Sequence, residues 1–128
     1  MNFVLRLLVP FALSAAALGC DDDQGPCAGE QGYAVQANIT DSATGRPLAY
    51  RSSLIIREGT FVDSVSGTLG DSATTTFLLA GRDREGTYDV TVRREGSRVW
   101  TRANVVAKRD RCGDLQGSEL NVRLQPGG

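Results

Sequence analysis

Three cysteines, three consecutive aspartates, one tryptophan and one lysine are the residues of this 128-residue chain whose types could do chemistry. Cys20 and Cys27 flank Asp21, Asp22 and Asp23, while Cys112 lies far along the chain. Histidine is absent, which removes most zinc sites, Ser-His and Cys-His nucleophiles and the usual proton shuttle near neutral pH. A dithiol redox centre wants a close C-x-x-C pair, and the chain has none. A calcium loop opening at Asp21 would need glycine at its sixth place and glutamate at its twelfth, where Pro26 and Gly32 stand. In "GRDREG", Asp83 and Glu85 are two carboxylates of the kind used in acid-base hydrolysis, but they sit in a glycine-bounded turn between arginines and read as a solvated hairpin tip. Lys108 could serve Ser-Lys catalysis or an isopeptide cross-link to Asn121 beside Glu119, yet it follows no strained nucleophile turn. Trp100 falls on one strand face with Arg102 and Asn104, an aromatic plate beside polar donors that suits glycan stacking; equally, Trp100 could cap one end of a core. "KRDRC", Lys108 to Cys112, is too short and too poor in aromatics for a nucleic-acid patch, and the net charge of −1 advertises no polyanionic partner.

The elements that hold these residues begin with an address. "MNFVLRLLVPFALSAAALGC" has one positive side chain, Arg6, followed by an apolar run from Leu7 to Gly19. That run is short of the roughly 20 residues a bilayer-spanning helix needs, and it is apolar on nearly all faces, unlike a core helix. A basic start, short apolar middle and small residues before a cut site describe a cleaved signal helix over residues 1–19. Ala17-Leu18-Gly19-Cys20 resembles a bacterial lipobox, although leucine is commoner where Ala17 stands. The resemblance implies a diacylglyceryl group on Cys20, cleavage before it, and acyl chains such as palmitate that anchor by about 0.8 kcal/mol per buried CH₂. Ordinary cleavage after Ala15-Ala16-Ala17 is the competing reading. With Cys20 carrying lipid, Cys27 and Cys112 remain to pair as a disulfide in an oxidising compartment; two unpaired buried thiols are the alternative. Residues 20–32 then form an acidic spacer at the membrane surface.

From Tyr33 onward the hydrophobic period is two. "YAVQANIT", "SSLIIRE", "FVDSVSG", "TTTFLLA" (ended by Gly81), "TYDVTVR", "SRVWTRANVVAK" and "SELNVRL" read as seven strands separated by Gly- and Asp-bearing turns. Tyr88, Val90 and Val92 face inward, as do Leu120, Val122 and Leu124. Gly45 and Gly96 stand where tight turns could require positive φ. The expected fold is all-β, a seven-stranded antiparallel sandwich, with Gly127-Gly128 frayed at the end.

Two segments carry a further resemblance. "ANITDSATGRPLAY" and "GTYDVTVRREGSRVW" are similar to the V-x-D-x-x-T-G-x-P-L and G-x-Y-x-V-x-V-x-x-x-G-Y patterns of carboxypeptidase regulatory-like domains. Ser97 departs from the aromatic usual there. The resemblance covers residues 33–126 and implies a prealbumin-like sandwich that acts without a catalytic site or cofactor. Family roles imply a non-catalytic binding or assembly module, or an accessory part of an envelope enzyme or receptor. Together with the lipobox, the expectation is a lipid-anchored cell-envelope protein held to the membrane through Cys20, with a protein or glycan partner and no nucleic acid. A glycan site would use Trp100, Arg102 and Asn104.

Overall fold

The computed structural model describes Cys27, Gly29, residues 31–68 and residues 73–127. The signal segment, the lipidation residue Cys20 and the aspartates Asp21, Asp22 and Asp23 lie outside the described residues.

Among the described residues eight strands follow in order: β1 Tyr33–Asp41, β2 Ser52–Glu58, β3 Phe61–Ser66, β4 Phe77–Arg82, β5 Gly86–Arg94, β6 Trp100–Arg109, β7 Leu115–Gln116 and β8 Ser118–Leu124. They form two sheets, one ordered β4-β1-β8 and the other β3-β2-β5-β6-β7. Alternation explains most of them. Val35, Ala37 and Ile39 of β1, Leu54 and Ile56 of β2, Tyr88, Val90 and Val92 of β5, and Leu120, Val122 and Leu124 of β8 are buried between the sheets. Fully burying a side chain of this size contributes about 1.5–3 kcal/mol, so these facing rows hold the sandwich closed.

The expected seven antiparallel strands need two corrections. The additional strand is β7, whose two residues pair with Lys108 and Arg109 of β6 before the chain crosses to the other sheet. Two residues are too few to carry a period. The crossing is at Gly117, where a Cβ would lie 2.0 Å from the Tyr33 carbonyl oxygen, so only glycine passes. The second correction is that β8 pairs with β1 in parallel, from Val35 opposite Ser118 to Asp41 opposite Leu124, while the other strand pairs are antiparallel. The β4 strand also begins later than expected, at Phe77, and runs through Gly81 to Arg82. There the Gly81 N–H donates to the Asp63 carboxylate at 2.8 Å, which covers a backbone group at the edge of the sheet.

The turns follow the sequence closely. Asp41 accepts from the Ala43 and Thr44 N–H groups at 2.8 and 3.0 Å, and these two bonds, Thr44 first, hold its carboxyl below the ordinary range. Gly45 then takes φ 74° and Gly96 φ 81°, both in the left-handed region where side chains are strained. Ser97, where an aromatic is expected from the resemblance, forms an isolated bridge with Pro126. The chain end is consequently fastened up to Gly127, whose N–H donates to the Gly96 oxygen at 2.8 Å, contrary to the fraying expected there.

Strand directions divide the sandwich into two ends. The start of β1, the turn after Glu58, the β4–β5 turn and the β6–β7 turn gather at one end. The end of β1, the start of β2, the β5–β6 turn and the residues after β8 gather at the other. Cys27 and Cys112 are joined as a disulfide, their Cα atoms 5.4 Å apart, at the first end. Trp100 opens β6 at the second.

Candidate functional site

Trp100 pairs with Val92 and Arg102 with Val90, so both belong to the inward row of the five-stranded sheet. Strict alternation would next place Asn104 opposite Tyr88. It does not, because two β6 residues, Ala103 and Asn104, oppose the single Asp89 in a β-bulge. Asn104 sits at φ 58°, and the inward row resumes at Val105 and Ala107, which are buried, while Val106 is exposed. The sequence therefore grouped Asn104 with Trp100 and Arg102 wrongly; the bulge removes it from their row.

Trp100 is half-buried and packs against the core. The Arg102 guanidinium lies over its ring, 4.9 Å from the centroid, a cation–π contact that covers part of the aromatic surface. The ring is thus a core-seated wall, partly covered by a charge and partly open to the hollow beside it. Beside it is a hollow of about 160 Å³ lined by Arg98, Val99, Trp100, Arg123 and Gln125. Arg123 comes from β8 and Gln125 from the segment after it. The hollow is braced by the Arg98 N–H, which donates to the Gln125 oxygen at 2.9 Å, and by the Ser97–Pro126 bridge. Sequence reasoning missed Arg98, Val99, Arg123 and Gln125. Arg98 and Val99 were legible as neighbours of Trp100, but Arg123 and Gln125 arrive only through the return of the last strand.

The other candidates are engaged elsewhere. The Asp83 carboxylate accepts from Arg109 at 2.8 Å, and the same guanidinium reaches the carbonyls of Asp83 and Gly113. That hydrogen bond to Asp83 is the main reason the Arg109 pKa is raised. Glu85 is exposed, two residues along the turn. Its neighbour Arg84 lies over Phe61 at 3.8 Å from the ring centroid and donates to Glu58 at 3.0 Å and to the Tyr88 hydroxyl at 2.9 Å. Tyr88 in turn donates to the Arg84 oxygen at 2.7 Å. Glu58 is held below its ordinary pKa first by the Thr87 N–H, which it accepts at 2.6 Å, and then by Arg84, which together outweigh its partial desolvation. Around Asp83 the carboxylates and guanidinia therefore clamp three turns together, those after β2, β4 and β6.

Lys108 is exposed and follows the inward Ala107, so it points away from the three-stranded sheet. Glu119 and Asn121 lie on the outer face of that three-stranded sheet, where both accept from the Asn38 amide, at 2.8 and 3.4 Å. The isopeptide trio is therefore not assembled. Asp110, Cys112 and Asp114 cluster closely enough to suggest a metal site. The Cys112 sulfur is in the disulfide, however, and Asp110 uses one oxygen on the Cys112 and Asp114 N–H groups and the other on Gln116. That geometry locks a turn. A second hollow, about 310 Å³, is lined by Tyr33, Gln36, Leu79, Gly117, Ser118 and Glu119 on the outer side of the three-stranded sheet.

Comparison with protein-family models and with curated proteins yields no match to this chain.

Proposed function

We propose that this is a lipid-anchored cell-envelope protein, a non-catalytic binding or assembly module of the carboxypeptidase regulatory-like, prealbumin-like kind. In this reading residues 1–19 are removed, Cys20 carries the lipid, residues 20–32 form the spacer and residues 33–126 form the domain. The two-sheet fold is compatible with that family, and the Asp41 turn and the positive φ of Gly45 and Gly96 suit its turn pattern.

One observation carries the reading further than the sequence does. The Cys27–Cys112 disulfide fastens the arm that would carry the anchor to one end of the sandwich. Cys27 follows Cys20 by seven residues, a reach of at most about 25 Å, so the fastened end would ride close to the bilayer. The end bearing Trp100 would face away, roughly 30 Å further out along β6. A module presented in this way offers its far end and sides to partners.

Two measurements test this. Intact mass of the protein extracted in detergent from its host is expected to show loss of residues 1–19, added diacylglyceryl and acyl groups, and one disulfide. Photo-crosslinkers placed at Val99 and Gln125 in living cells are expected to trap a partner, whereas probes in the β6–β7 turn are not. An unprocessed, lipid-free chain would overturn the anchoring; a probe pattern indifferent to which end carries it would overturn the orientation.

A further inference from the structure

The geometry points to the hollow beside Trp100 as a binding site for the carboxylate-bearing sugars of an acidic polysaccharide. This inference rests on the binding-module reading and supplies it with a ligand class.

Charge is unevenly arranged over the molecule. Among the described residues the two salt bridges, Arg84–Glu58 and Arg109–Asp83, both lie at the disulfide end. At the opposite end Arg98, Arg102 and Arg123 converge around Trp100, and among the described residues none of the three has a carboxylate partner. Three guanidinia without a carboxylate partner thus stand around one aromatic ring. Guanidinium is the planar fork that takes a carboxylate through two parallel hydrogen bonds, and the cation–π contact with Trp100 preorganises one of the three.

Shape selects among anions. At about 160 Å³ the hollow is smaller than the clefts that enclose whole ligands, so it suits one ring of a longer chain. The indole and the half-exposed Val99 give it an apolar wall against which the C–H face of a sugar can lie, and the Gln125 amide can serve hydroxyls. An acidic peptide adding as a strand is disfavoured, because the backbone there is already used: Arg98 N–H on the Gln125 oxygen, Gly127 N–H on the Gly96 oxygen, and the Ser97–Pro126 bridge.

The test uses the full protein in detergent and three probes: polygalacturonate, neutral dextran of similar length, and poly-L-glutamate. Polygalacturonate is expected to bind, dextran not to bind, and polyglutamate to bind at least tenfold more weakly. Arg98→Gln and Arg123→Gln are each expected to lower polygalacturonate affinity about tenfold, while Arg57→Gln on β2 leaves it unchanged. Raising salt should weaken the binding. Unchanged urea midpoints show that the variants remain folded. Absence of polygalacturonate binding, equal binding of dextran, polyglutamate binding as tight, or indifference to both arginine variants would each overturn the inference. If polygalacturonate fails while crosslinks at Val99 trap a protein in cells, the sugar-acid site falls and the binding-module reading stands.

Discussion

Replacing both Cys27 and Cys112 with serine probes the feature on which the proposed orientation depends. The disulfide closes a sequence separation of 85 residues, and loop-closure entropy for that length gives about 4.5 kcal/mol as an upper figure. Part of this is returned in the folded state, because the bond also orders an arm whose other attachments, among the described residues, are few. Those described are the Gly32 oxygen accepting from the Asp83 N–H at 2.8 Å and the Gln31 side chain accepting from Arg82 at 3.0 Å. A net loss of about 2–4 kcal/mol is therefore expected. With a urea m-value of about 1.5 kcal/mol/M, this moves the midpoint down by about 1.3–2.7 M. The assay is equilibrium urea unfolding followed by tryptophan fluorescence, for the parent with and without reductant and for the double variant. The reduced parent and the variant should agree, with both still folded in water. A midpoint drop below about 0.3 M would refute the reasoning, since the bond would then be neither constraining the unfolded chain nor holding the arm.

Three further outcomes are expected. Tyr88→Phe keeps the buried ring but strips the hydroxyl from the Arg84 oxygen and guanidinium, and should cost about 1–3 kcal/mol in urea unfolding; no change would mean the clamp contributes nothing. Glu58 has a lowered pKa, so the stability it contributes is present above its ordinary 4.5 and lost as pH falls through the lowered value. Glu58→Gln should thus lower the thermal midpoint at pH 7 and flatten part of its fall below pH about 4.5, and an identical acid limb would contradict this. Asn104→Val, favourable by strand propensity, should instead cost about 1–2 kcal/mol because φ is 58° there; a raised midpoint would argue against the bulge.

How much could be read in advance depended on whether a segment signalled locally. β1, β2, β5 and β8 alternate, and their inward residues are buried as alternation requires. The Asp41 turn, Gly45 and Gly96 announced themselves through turn chemistry, and the Cys27–Cys112 pair followed from arithmetic once Cys20 was set aside. What stayed hidden is non-local or irregular. The bulge at Asn104 left no glycine to mark it, so alternation was carried one residue too far and Asn104 was grouped with Trp100. β7 is too short for any period. The parallel register of β8 depends on how many times the chain has crossed the sandwich, and with it went Arg123 and Gln125, two of the five residues lining the hollow beside Trp100.

The register of β8 against β1 joins the first of the described strands to the last. Seven residue pairs spanning Val35–Ser118 to Asp41–Leu124 can form only after the entire sequence between them has been synthesised. Such distant closure slows folding, so newly made chains should linger with the β1 margin bare and prone to stick to one another. A chain cut before Ser118 would leave the three-stranded sheet lacking one border, with the β1 margin open to the strand of a neighbouring molecule.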